Sequence, residues 1–193
     1  MKNITKLIAL IIMAITFFSF KNDNPKILIN TELGEIVVEL FINEAPISSK
    51  NFLKYVDNDK FKEGTFYRIV TMDNQPNNDV KIEVIQGGRT RGDTISFPAI
   101  EHETTDATGI LHTNGVISMA RNDPGTATSE FFICVGEQPE LDFGGKRNSD
   151  GQGFAAFGKV IKGMDVVHNI HQLPVEGQYL DPRIKIINIT RMK

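Results

Sequence analysis

The chain has 193 residues, 40% of them hydrophobic and 23% charged, a length and balance suited to one soluble domain with a sizeable core. A formal charge of -3, with Lys and Arg dispersed along the chain, offers no cationic face for a phosphate backbone and argues against a nucleic-acid partner. The single cysteine, Cys134, excludes an intrachain disulfide, and within Phe131–Val135 it reads as a small buried hydrophobe rather than a nucleophile.

In chain order, Lys2 and Lys6 precede the apolar stretch Leu7–Phe20, and polar Lys21–Pro25 follows. A basic start and a short apolar run predict an export signal over residues 1–21. The run is shorter than the roughly 20 residues that span a bilayer. Phe17, Phe18 and Phe20 occupy the place of a small-residue cleavage site, so the leader is either cleaved or retained as a membrane tether through residues 4–20. The remaining domain, residues 26–193, is expected in a bacterial periplasm, soluble or tethered to the inner membrane.

Residues 26–30 and 35–41 are β-rich runs that predict a hairpin with Gly34 beside its turn. Pro46 opens a helix to about Asp57, with Ile47, Phe52, Leu53 and Val56 as its apolar stripe. Further strands are expected at 65–70, 82–87, 115–119, 130–135, 155–160 and 183–190, with a second helix from Met164 to about Ile170. Many short strands and two helices predict a closed antiparallel sheet with covered ends, because closure removes adhesive edges. The polar segments 71–81 and 143–153 are predicted surface loops. Glu101-His102-Glu103 lacks converging ligands and is not expected to bind metal, while His168 and His171 read as surface or capping groups, with His171 in a frayed helix end.

Five ordered motifs resemble the cyclophilin family of peptidyl-prolyl isomerases between about Lys26 and Met192. They are Phe66-Tyr67-Arg68-Ile69-Val70, Val84-Ile85-Gln86-Gly87-Gly88, Gly115-Val116-Ile117-Ser118-Met119-Ala120, Ser129-Glu130-Phe131-Phe132-Ile133, and Phe157-Gly158-Lys159-Val160 before Gly163-Met164. The resemblance implies an all-β-dominated fold: a closed eight-stranded antiparallel β-barrel capped by two α-helices, with the active groove on its outside. It implies a monomer that needs no cofactor or metal and takes proline-containing peptides and unfolded or partly folded protein clients. Read alone, Arg68 is a surface arginine among apolar neighbours; the resemblance makes it the catalytic guanidinium, with Gln86 holding substrate backbone and Phe132 contacting proline. It likewise assigns Leu141 and Phe154 to the proline pocket, Ala120 to the groove surface, and Arg121 and Asn122 to the stretch that binds substrate backbone.

Departures from the family pattern are Glu83 for a common phenylalanine, Val84 for methionine, Glu130 for glutamine, Glu140 for tryptophan and Phe154 for histidine. Glu83 is expected to turn outward, because a carboxylate cannot line an apolar wall without a desolvation penalty, leaving Phe132, Leu141 or an insertion residue to fill in. Together the three glutamates predict an acidic rim that favours substrates with Lys or Arg near the proline. The function expected is prolyl isomerisation during folding of exported proteins; the alternative is a peptide-binding scaffold or chaperone with little turnover.

Overall fold

The computed structural model describes residues 23–89 and 97–192, and β1 (Lys26–Thr31), with alternating burial, pairs with β2 (Gly34–Leu40), buried through Ile36, Val37 and Val38, in the predicted hairpin. At its turn the Thr31 hydroxyl accepts from Leu33 N at 3.1 Å and donates to Gly34 O at 2.8 Å. Gly34 has φ 137°, and a Cβ there would collide with Val166. The expected leader, residues 1–21, lies outside the described residues. Among those described, no helix is long and apolar enough to cross a membrane.

Helix α1 (Pro46–Asp57) begins at Pro46, whose fixed φ suits a first turn. Its preceding residue, Ala45, has no side chain able to cap it. Glu103 supplies that cap from a distant segment, accepting from Ile47 N at 2.9 Å and Ser48 N at 2.6 Å. A carboxylate satisfies the orphan amides and complements the positive end of the helix dipole. The Glu-His-Glu motif is thus a structural joint, in which His102 Nε2 lies 3.2 Å from Gln152 O. On the inner face of α1, Phe52 packs against Phe61, Phe131 and Phe157 with ring centroids 4.8–5.3 Å apart.

The remaining strands are β3 (Gly64–Val70), β4 (Val84–Gly88), β5 (Val116–Met119), β6 (Phe131–Cys134), β7 (Ala155–Lys162) and β8 (Tyr179–Arg191). They close an eight-stranded antiparallel barrel in the order β1-β2-β7-β5-β6-β4-β3-β8. The helix count exceeds the expected two. A single turn, α2 (Thr105–Thr108), precedes α3 (Met164–His171), and a 3₁₀ turn covers Pro139–Leu141. Such short helices leave no apolar period in the sequence; α2 rests on the Thr104 side-chain cap and left-handed Gly109. His171 belongs to the last turn of α3 rather than a frayed end, with Nε2 3.0 Å from Val70 O.

Strand β8 starts four residues before the predicted strand at 183, beyond Pro182, a residue that cannot donate to a ladder. The ladder jumps there, pairing Phe66 with Ile184 and then Arg68 with Tyr179. Packing also follows strand alternation: Phe131 points into the barrel core, and Phe132 points outward into a second apolar cluster. That cluster contains Val70, Ile82, Val84, Phe132, Cys134 and Leu141, with Ala120 and Phe154 packed against it. Cys134 is fully buried, and that burial pushes its thiol far above the ordinary range.

Candidate active site

Register assembles one row of side chains across the outside of the barrel. Arg68 on β3 lies opposite Gln86 on β4, Gln86 opposite Phe132 on β6, and Phe132 opposite Ser118 on β5. A bulge between Phe66 and Arg68 leaves Tyr67 without a partner on β4. It puts two consecutive side chains, Tyr67 and Arg68, within reach of one glutamine, which regular alternation forbids. Gln86 Nε2 donates to the Tyr67 hydroxyl at 2.8 Å, and Gln86 Oε1 accepts from Arg68 Nη1 at 2.9 Å.

Gln178, just before β8, completes the hold on Arg68. Its Oε1 accepts from Arg68 Nε at 2.9 Å and Nη2 at 2.6 Å, while its Nε2 donates to Asn74 O at 3.0 Å. A guanidinium carries five N–H groups, so one on each terminal nitrogen of Arg68 is uncommitted within the described structure.

These residues open onto a cleft of about 320 Å³ that brings together Arg68, Gln86, Ala120, Arg121, Phe132, Leu141 and Phe154. Of the eight expected site residues, Asn122 alone stands apart. It borders an adjoining cleft of about 250 Å³ with Tyr67, Thr126, Thr128 and Glu130. The apolar floor is tightly fixed: Phe132 meets Phe154 edge-on at 5.2 Å and stacks on His112 at 5.9 Å. His112 in turn bridges Asp142 at 2.7 Å and Ser118 at 2.9 Å. Serine, histidine and carboxylate in that order suggest a nucleophilic relay. Ser118 is fully buried, however, so the chain serves to lock the Phe132 ring instead.

Arg121 clamps a loop. Its guanidinium grips Asp150 through two bonds at 2.7 and 2.9 Å, donates to Gly153 O, and lies 5.2 Å above the Phe154 ring. The hydrogen bond from Arg121 and its charge hold the exposed Asp150 carboxyl down at about 2. The two predicted loops, 71–81 and 143–153, meet over the opposite end of the cleft. There Arg147 Nη1 donates to Gln75 Oε1 at 2.7 Å and Val80 O at 2.6 Å.

The predicted acidic rim does not form around the 320 Å³ cleft. Ile82 and Val84 line it while Glu83, between them in strand alternation, does not. Glu140 is also absent from the lining, and its carboxylate accepts from Lys146 N within its own loop. Glu130 borders only the adjoining cleft, where burial raises its carboxyl above the usual range despite a hydrogen bond from Tyr67. It lies so close to Gly88 that a Cβ there would overlap the carboxylate. Sequence reasoning missed Gln178, Arg147, Ile82 and His112. Of these, Arg147 and Gln178 stand in loop or turn segments whose approach to Arg68 has no local signature.

The family model for cyclophilin type peptidyl-prolyl cis-trans isomerase/CLD matches residues 26–192. A peptidyl-prolyl cis-trans isomerase of Acinetobacter baylyi is 35% identical over 173 residues, covering 88% of this chain and 84% of that protein. Peptidyl-prolyl cis-trans isomerase A of Dickeya dadantii is 32% identical over 191 residues, covering 94% and 92%. A cyclophilin type isomerase structure from Cryptosporidium parvum shares the fold, with a TM-score of 0.71 at 22% identity over 88% of this chain and 98% of that one. With its barrel, its outward row and the match spanning nearly all of the described residues, this chain belongs to the cyclophilin-type peptidyl-prolyl cis-trans isomerase family.

Proposed function

We propose that Arg68, Gln86 and Phe132 carry Xaa-Pro isomerisation in the 320 Å³ cleft, on clients that are proteins exported from the cytoplasm. The observation that carries the assignment is the row of these three side chains across β3, β4 and β6, opening onto one cleft. Rotation about a peptide bond meets a barrier of about 18–20 kcal/mol because resonance stiffens the C–N bond. No covalent step is needed: the twisted amide must be bound better than either planar form.

As the bond twists, the proline nitrogen recovers its lone pair and becomes an acceptor. The uncommitted N–H groups of Arg68 then have a partner that the planar amide lacks, an interaction of about 3 kcal/mol in comparable oxyanion sites. Gln86 and Gln178 hold the guanidinium beforehand, so little reorganisation accompanies the twist. Phe132, Leu141, Phe154, Ile82 and Val84 form an apolar seat for the pyrrolidine ring. Burial of a group of that size supplies about 2 kcal/mol of binding in either isomer. Gln86 and the Ala120–Asn122 stretch restrain the rest of the peptide.

Lys2, Lys6 and the apolar Leu7–Phe20 run support the exported client class. Exchange spectroscopy on a short Ala-Pro peptide tests catalysis: saturable acceleration is expected, and binding without exchange would refute it. Cell fractionation tests export: recovery in the envelope is expected, whereas a full-length chain confined to the cytosol would refute that part.

A further inference from the structure

We infer that the end of the groove covered by loops 71–81 and 143–153 is a subsite for a carboxylate side chain flanking the proline, read by Arg147. The inference rests on the proline-cleft assignment and adds a substrate class to it. Arg147 lines both the proline cleft and a neighbouring cleft of about 370 Å³, and Arg68 and Asn78 are shared by the two, so a peptide passing the proline seat continues onto Arg147. No carboxylate lines either space.

The donors there outnumber their acceptors. The Arg147 guanidinium hydrogen-bonds through Nη1 only, to Gln75 and Val80, and no ion pair engages it among the described residues. Asn148, also in the cleft lining, has a buried Nδ2 with no hydrogen-bond partner. A buried donor without an acceptor is costly, and a ligand oxygen would satisfy it. Burial, and secondarily the charge of Arg68, push the Arg147 guanidinium below its ordinary range. An incoming carboxylate relieves that repulsion. Arg121, the third arginine of the cleft, is already neutralised by Asp150 and does not compete. The Glu130 carboxylate borders only the adjoining cleft beyond Arg121 and not the Arg147 end, so the preference for an anionic side chain has a direction.

The test compares Glu with Gln in otherwise identical proline peptides, placed on either flank of the proline, by kcat/KM at low salt. At one flank the Glu peptide is expected to exceed its Gln counterpart by about fivefold, as a partly exposed charge-assisted contact gives, with the advantage falling as salt rises. Arg147→Glu should invert the ratio and favour Lys at that flank, an outcome that loop disruption alone would not produce. Equal rates for Glu and Gln at both flanks, or a Glu preference surviving in Arg147→Glu, would overturn the inference. Absence of exchange on every peptide would instead strike the underlying cleft assignment, and the same Glu/Gln comparison by binding affinity would then decide the subsite.

Discussion

Replacing Gln178 with alanine isolates the positioning of Arg68 from its chemistry. Of the three hydrogen bonds that hold the guanidinium, two end on Gln178 Oε1, at 2.9 and 2.6 Å. In a half-exposed setting each contributes about 1 kcal/mol net, so the variant loses about 2 kcal/mol of restraint. If that restraint is what aligns Arg68 with the twisted amide, kcat/KM falls about thirtyfold, since 1.36 kcal/mol is tenfold. Exchange spectroscopy on an Xaa-Pro peptide, with urea unfolding to confirm the fold, measures the effect. The decisive comparison is the double variant Gln178→Ala with Arg68→Ala. A residue acting only through Arg68 makes the double variant no slower than Arg68→Ala alone. Multiplying effects, or a single-variant change within twofold, would refute the positioning argument.

Removing the carboxylate of Glu103 by Glu103→Ala orphans two amides at the start of α1; a loss of about 2 kcal/mol is expected, or about 4–8 °C in Tm by calorimetry, with isomerase activity retained. Burial raises the Glu130 carboxyl, so the folded state holds its proton more tightly than the unfolded chain, and that contribution to stability is lost as pH rises through the folded value. Glu130→Gln should therefore melt higher than wild type near neutral pH, with the gap closing as pH falls below the ordinary carboxylate range. Cys134 is buried and its thiol is pushed up, so a thiol-reactive dye should label it slowly in the native protein and fully in denaturant.

The apolar runs made the hairpin and most strands readable, whereas the place of Phe132 on the outside came only from the family resemblance, because Phe131-Phe132-Ile133-Cys134 is apolar throughout and carries no alternation of its own. Helix α1 was plain from Pro46 and from Phe52, Leu53 and Val56, but Ile47, expected in the same stripe, is exposed, and Ser48, Ser49 and Tyr55 are buried on the inner face instead. The site was readable only as separate motifs. Their union depends on the Phe66–Arg68 bulge, which no residue type announces, and on the β8 irregularity that brings Gln178 to Arg68. Long-range partners were hidden for the same reason: Glu103 caps α1 across 55 residues, and Arg147 reaches Gln75 across 72. The outward turn of Glu83 was legible from its desolvation cost, but sequence proximity to the groove motifs does not say which way Glu130 and Glu140 face, and the expected acidic rim does not form around the cleft. Glu83 lies between two lining residues and Glu140 folds into its own loop.

The most direct test of the central claim separates binding from turnover in Arg68→Ala. Line-shape analysis of a proline peptide, giving both Kd and the exchange rate on the protein, is the measurement. If Arg68 donates chiefly to the twisted amide, exchange falls about 10²–10³-fold while Kd changes by less than about threefold. Exchange that persists at the wild-type rate, or a loss that lies wholly in Kd, would contradict the account.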